Sequence, residues 1–162
     1  MATAGNNFNV FDPNDLPNGA HFKVGIAVSE WNSLYTHGML EGAKEVLLAC
    51  GVPEVSIITV YVPGTYELPL ASQMLLESVD GVIAIGSVIR GETSHFDYVC
   101  EAAASGIKDV NLKTGKPVAF CVLTDNNAEQ AKARSGGHLG NKGIEAAVAI
   151  LKMLALRSEL ST

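Results

Sequence analysis

Residues Gly81–Phe96 read GVIAIGSVIRGETSHF, an apolar run that breaks into a turn rich in glycine and hydroxyl side chains and ends on a histidine. Val82, Ile83, Ala84, Ile85, Val88 and Ile89 leave neither alternating face polar, the pattern of a short strand covered by helices on each side. The turn Arg90–Ser94 follows at once, and Phe96, Val99, Cys100, Ala103 and Ile107 then recur at helical spacing. The segment is therefore strand, tight turn and helix, with His95 in the first helical turn and Thr93 or Ser94 able to cap it.

A helix N-terminus reached in this way presents free backbone N–H groups and the positive end of a dipole, which suits a phosphate or another oxyanion. The dipole favours a neutral imidazole at His95, able to accept a proton, while a bound phosphate favours the imidazolium. The plain alternative is a solvated histidine at a helix end.

Working outward, the same alternation of strand and helix repeats. Lys23–Ser29 is a strand, and Glu30-Trp31-Asn32-Ser33 leads into a helix with Leu40, Ala43, Val46, Leu47 and Cys50 on one face. Val55–Val62 is a β-branched strand, after which Pro63-Gly64 turns into a helix opening with Tyr66-Glu67-Leu68-Pro69. Downstream, Pro117–Leu123 is the fourth strand, and Asn126 or Asn127 caps a short helix through Ser135. A glycine-rich SGGHLGNKG then leads to a last helix, Ile144–Arg157. That helix carries a stripe of Ile144, Ala147, Val148, Leu151 and Ala155, and a second of Ala146, Ile150 and Met153, one suited to the core and the other to a neighbouring subunit.

Four successive strand–helix units predict an α/β fold: a single-domain three-layer sandwich with a four-stranded parallel sheet and helices on both faces, flavodoxin-like or Rossmann-like. The domain spans 23–158. Residues 1–22, with five asparagines and little that can form a core, read as an extended arm in which Phe8 and Val10 alternate like a strand on another subunit's sheet edge, or as a disordered tail. Sites in such sheets lie at the strand C-termini, which here gathers Trp31-Asn32, Tyr66-Glu67, Arg90–His95 and Thr124-Asp125 along one edge. No strand is followed by GxGxxG or GxxxxGK[ST].

Composition narrows the function. Only 17% of the 162 residues are charged against 48% hydrophobic, lean for a monomer, so subunit contacts are expected. A net charge of −6 with scattered basic residues argues against nucleic acid and anionic membranes as partners. Cys50, Cys100 and Cys121 are widely spaced and in apolar contexts, so they read as buried thiols, with neither a disulfide framework nor a metal site. No signal core or membrane-length apolar run is present, and a cytoplasmic protein is the default expectation.

Several side chains at the strand ends carry chemistry with a plain alternative beside it. Trp31 can stack on a planar heterocycle or cap the core, and Glu67 can bind a polyol or simply complement a helix dipole. Arg134 and Lys142 flank the glycine-rich turn, where an arginine can clamp a phosphate, though either alone reads as a surface charge. Taken together, PGTYELP at 63–69, GSVIRGETSHF at 86–96, PVAFCVLT at 117–124 and Arg134-Ser135-Gly136-Gly137 with Gly140-Asn141-Lys142-Gly143 resemble the lumazine synthase family, from about Val24 to Leu156.

That resemblance implies condensation of 5-amino-6-(D-ribitylamino)uracil with 3,4-dihydroxy-2-butanone 4-phosphate, with loss of phosphate and water and no cofactor. It also implies roles for individual residues. Trp31 matches the aromatic stacked on the pyrimidine, Thr65, Tyr66 and Glu67 the ribityl-binding segment, and Ser87, Val88 and Ile89 the pyrimidine edge. Glu92 and Thr93 match the phosphate cradle and His95 the proton-transfer residue. Phe120 matches a ring wall from the adjacent subunit, Arg134 the phosphate arginine, and Lys142 a further, weaker match. Glu30 departs from the arginine that many members carry there. A homopentamer is implied, and the short Gly136–Asn141 turn favours closure into a 60-subunit shell. The rival reading is a non-catalytic flavodoxin-like flavin-binding protein, since Trp31 and a helix-end phosphate site also suit FMN.

Overall fold

The structure is a computed structural model that describes residues 10–161. Four strands, β1 (Val24–Ser29), β2 (Ile57–Val62), β3 (Gly81–Ile89) and β4 (Val118–Asp125), form one parallel sheet in the order β2-β1-β3-β4. Each is followed by a helix: α1 (Ser33–Ala49), α2 (Leu68–Leu75), α3 (His95–Thr114) and α4 (Ala128–Arg134). A two-stranded hairpin, β5 (Ser135–Gly137) with β6 (Gly140–Asn141), then leads into α5 (Lys142–Leu160).

The apolar runs follow from this order. β1 and β3 are the inner strands, so every residue of β1 and the first seven of β3 are buried. On one face Ile26, Val28, Ile83, Ile85 and Leu123 pack with side chains of α1, α4 and α5. On the other, Ala27, Val82, Ala84 and Val118 meet residues of α2 and α3. Burying one such valine or isoleucine contributes about 1.5–3 kcal/mol, and truncating fully buried Ile83 to alanine is expected to cost about 2–5 kcal/mol.

The join between α1 and α5 is tight. A Cβ at Gly143 would collide with the Met39 carbonyl oxygen, so only glycine lets the helices approach this closely. Asn141 secures the join: its Nδ2 donates to the Gly38 carbonyl at 2.8 Å, and its Oδ1 accepts from the Gly143 N–H at 2.8 Å as the cap of α5.

The structure moves several boundaries. Val55 lies in a 3-10 turn, 93% exposed, because Pro53 sets an extended residue before that turn and β2 starts at Ile57. Tyr66 and Glu67 belong to a 3-10 turn before α2 begins at Leu68. Asn127, not Asn126, caps α4, accepting from the Gln130 N–H. The glycine-rich run is a hairpin, and α5 starts two residues earlier than its apolar stripe suggests, at Lys142.

The two-stripe reading of α5 is corrected as well. Ala146 and Ile150 are buried in this chain's own core, because α5 is covered by the sheet and by α1 on adjoining sides; only Met153 of the second stripe is half exposed, at 49%. Cys50 and Cys121 are buried, but Cys100 is only partly so. Phe11 and Leu16 pack on the core beside buried Phe22, whereas Val10 is exposed and in a bend; Phe8 lies outside the described residues.

Candidate active site

The chain goes from β1 outward to β2 and from β3 outward to β4, so the order reverses between the carboxyl ends of β1 and β3, where open α/β sheets leave a crevice. Beyond β1 the pairing with β2 continues, as the Glu30 N–H donates to the Val62 carbonyl at 2.8 Å and the Trp31 N–H to the Pro63 carbonyl at 3.2 Å. Asn32 then adopts a left-handed backbone, φ 61°, a conformation that costs most side chains about 1–2 kcal/mol and asparagine less. Its Nδ2 donates to the Ser87 carbonyl at 2.8 Å, which ties the exit of β1 to β3 and leaves Trp31 72% exposed at the crevice.

A second wall is the 3-10 turn Thr65–Glu67. Thr65 is buried, and its Oγ1 would stand 2.6 Å from a Cβ at Gly86, so glycine in β3 admits the turn against the sheet. Tyr66 and Glu67 remain exposed. The third wall is the turn after β3 and the start of α3. Ser94 holds the cap position of α3 without a side-chain bond, and Thr93 Oγ1 accepts from the His95 N–H at 3.4 Å.

These walls enclose a cavity of about 730 Å³ lined by Trp31, Thr65, Tyr66, Glu67, Ser87, Val88, Ile89, Thr93 and His95, together with Asn32, Gly91, Phe96 and Val99. Ser87 Oγ is buried there without a hydrogen-bond partner, an orphan donor of the kind a polar ligand satisfies. The N-terminus of α3 borders the same space and favours negative charge.

A second concavity, about 770 Å³, lies along β4, α4 and α5 and is lined by Phe120, Asp125, Arg134, Lys142 and Glu145 among others. Its charges are paired within the chain. Arg134 Nη1 donates to the Gln130 carbonyl at 3.0 Å and lies 3.7 Å from Asp125 Oδ1, while Lys142 Nζ donates to Glu145 Oε2 at 2.6 Å. Burial raises the Asp125 carboxyl above the usual range, and the Arg134 guanidinium pulls it only partly back; its Oδ2 is buried without a partner. Phe120 is 45% exposed. Among the described residues no group of His, Cys, Asp or Glu is arranged to hold a metal ion.

Residues 21–158 match the family model described as 6,7-dimethyl-8-ribityllumazine synthase. The chain belongs to that family. Proteins named 6,7-dimethyl-8-ribityllumazine synthase from Christiangramia forsetii and Flavobacterium johnsoniae are 49% and 51% identical to it, over 98% and 99% of this chain and 96% and 86% of theirs. A third, from Cytophaga hutchinsonii, is 50% identical over 96% of this chain and 98% of its own length. No relative among these points to the flavin-binding reading.

Within the family frame, the fold divides the residues singled out from sequence. Nine of them, from Trp31 to His95, share the first cavity; Phe120, Arg134 and Lys142 share the second; Glu92 is exposed and lines neither. Asn32 is a positioning residue whose one sequence signal is its place straight after a strand end, since asparagine tolerates a left-handed backbone better than most side chains. The pairing of Asp125 with Arg134 depends on α4 folding back along β4 and carries no local signal in the sequence.

Proposed function

We infer that this chain catalyses the reaction for which its relatives are named, the riboflavin-pathway condensation of 5-amino-6-(D-ribitylamino)uracil with 3,4-dihydroxy-2-butanone 4-phosphate to 6,7-dimethyl-8-ribityllumazine. The observation that carries this reading is the cavity at the switch point, where a flat aromatic, a carboxylate-bearing turn and a helix N-terminus with a histidine converge. The ring of the pyrimidine stacks on Trp31, and Glu67 and the Thr65-Tyr66 backbone take the ribityl hydroxyls. The buried Ser87 hydroxyl and the strand end at Val88 and Ile89 meet the pyrimidine edge.

The phosphate lies on the turn at Glu92 and Thr93, where the start of α3 supplies N–H groups and a favourable dipole. The primary amine attacks the ketone, water leaves to form an imine, a carbon-bound proton is lost and phosphate departs; attack by the ribitylamino nitrogen and loss of water close the ring. His95 moves protons in these steps, and holding both substrates in one cavity supplies much of the remaining acceleration. Phe120, Arg134 and Lys142 act from a neighbouring copy, with Arg134 gripping the phosphate.

The enzyme is thus a homo-oligomer working on small molecules, and we place it as a pentamer, closed into a 60-subunit shell, in the cytoplasm. None of its helices among the described residues is long and apolar enough to cross a membrane. The test is to mix the two substrates with purified protein and follow the absorbance of the ribityllumazine product. Product formation at a rate proportional to enzyme is expected. A yellow protein carrying stoichiometric flavin but inert toward both substrates overturns the reading, and light scattering at the mass of one chain overturns the assembly.

A further inference from the structure

Arg90 is the first residue past β3 and the one cation in the turn 90–94. Charge and position both suggest a phosphate ligand, yet the guanidinium is engaged elsewhere. Nη2 donates to Asp97 Oδ1 at 2.9 Å and Nη1 to Asp97 Oδ2 at 3.4 Å, a two-pronged contact on one carboxylate. Nε donates to Asn126 Oδ1 at 3.3 Å, and Cζ stands 4.2 Å from the centroid of the buried Phe96 ring. The Arg90 N–H donates to the Asp125 carbonyl at 2.9 Å. Arg90 does not line the cavity, whereas Gly91, Thr93, His95 and Phe96 do.

Three pieces of chain therefore meet on one side chain: the end of β3, the first turn of α3, and the connection from β4 to α4. Residues 91–95 lie between them and are all exposed, and a Cβ at Gly91 would meet nothing within 4 Å, so packing does not hold the shape of this turn. A surface ion pair alone contributes little. Here the fork geometry, the stacked ring and the third acceptor restrict the same guanidinium together, and its partners Phe96 and Asp97 are the two residues directly after His95.

We propose that Arg90 is a positioning residue that clips the start of α3 to the sheet and so sets the 91–95 turn and His95, rather than binding the phosphate itself. The proposal rests on the reading that this turn holds the phosphate and that His95 moves protons. Arg90→Gln and Asp97→Asn are each expected to lower kcat/KM about tenfold, and the double variant to fall no further than the worse single one. Arg90→Lys, which keeps the charge but loses the fork and the stacking, is expected to behave like Arg90→Gln.

Amide hydrogen exchange on the same assembled proteins supplies a readout that does not need turnover. Exchange over residues 91–97 should quicken at least about tenfold in Arg90→Gln and in Asp97→Asn while β1 and β3 stay protected. Two kinetic results overturn the proposal: wild-type kinetics in Asp97→Asn beside a raised KM for the butanone phosphate in Arg90→Gln, or wild-type kcat/KM in Arg90→Lys. Unchanged exchange over 91–97 in Arg90→Gln overturns it independently. An unmodified protein that makes no product defeats the functional reading instead, and the exchange result still decides the clip.

Discussion

The two concavities on this chain differ in kind. The cavity between β1 and β3 has its walls supplied by three consecutive connections, an aromatic face and an orphan buried hydroxyl. The concavity along β4 is bordered by an exposed phenylalanine and by charges already paired with each other, Arg134 with Asp125 and Lys142 with Glu145. The first has neither an arginine nor a lysine in its lining, and the second holds Arg134, Lys142 and the Phe120 ring. On the proposed function, the two concavities are halves of one site that a single protomer does not bring together, and a ring of identical subunits would join them by setting each chain's β4 edge on its neighbour's crevice.

Disabling the two concavities separately is expected to have the largest effect. His95→Ala is expected to lose about 10²-fold or more in kcat, with a changed pH–rate profile. Reassembling it with an Arg134→Ala chain should restore activity to as much as about a quarter of wild type, because random neighbours pair the two intact halves in that share of sites. No recovery in the mixed oligomer would show that both residues serve the same chain's site.

A smaller effect is expected from Arg134→Lys, which keeps charge but gives up the two-pronged grip: KM for the butanone phosphate should rise about tenfold with KM for the pyrimidine unmoved. A rise in the pyrimidine constant alone would reassign the second concavity to the other substrate.

The smallest effect concerns Asp125, the one charged residue among the buried polar groups described. Burial raises its carboxyl, so the native state holds this proton more tightly than the unfolded chain, and its share of stability falls as pH climbs from the ordinary carboxylate value of about 4. Asp125→Asn should then raise the melting temperature by about 2 °C at pH 7 and lose that advantage in acid, where Asp125 is protonated. A lower melting temperature at pH 7 would mean that the pair with Arg134 outweighs the burial. Cys121, on the same strand, is pushed up to about 12 by burial, so alkylation of the native protein at pH 8 should spare it while modifying partly buried Cys100.

The amino-acid sequence determined the sheet, its parallel direction and the edge where chemistry gathers, because unbroken apolar runs such as 82–85 have only one stable environment, between two layers of helices. Hydroxyl, aromatic and glycine residues at the strand exits marked the crevice for the same local reason: a tight turn into a helix needs them. Tertiary structure alone decided what depends on residues far apart in sequence. Asn32 becomes a brace only once β3 brings the Ser87 carbonyl 2.8 Å away, and Arg90 becomes a clip only once α3 and the β4 exit meet on its guanidinium. The separation of Phe120 and Arg134 from the His95 cavity is likewise a matter of strand order, since β4, at one edge of the sheet, carries Phe120, the helix α4 after it carries Arg134, and both open onto a space apart.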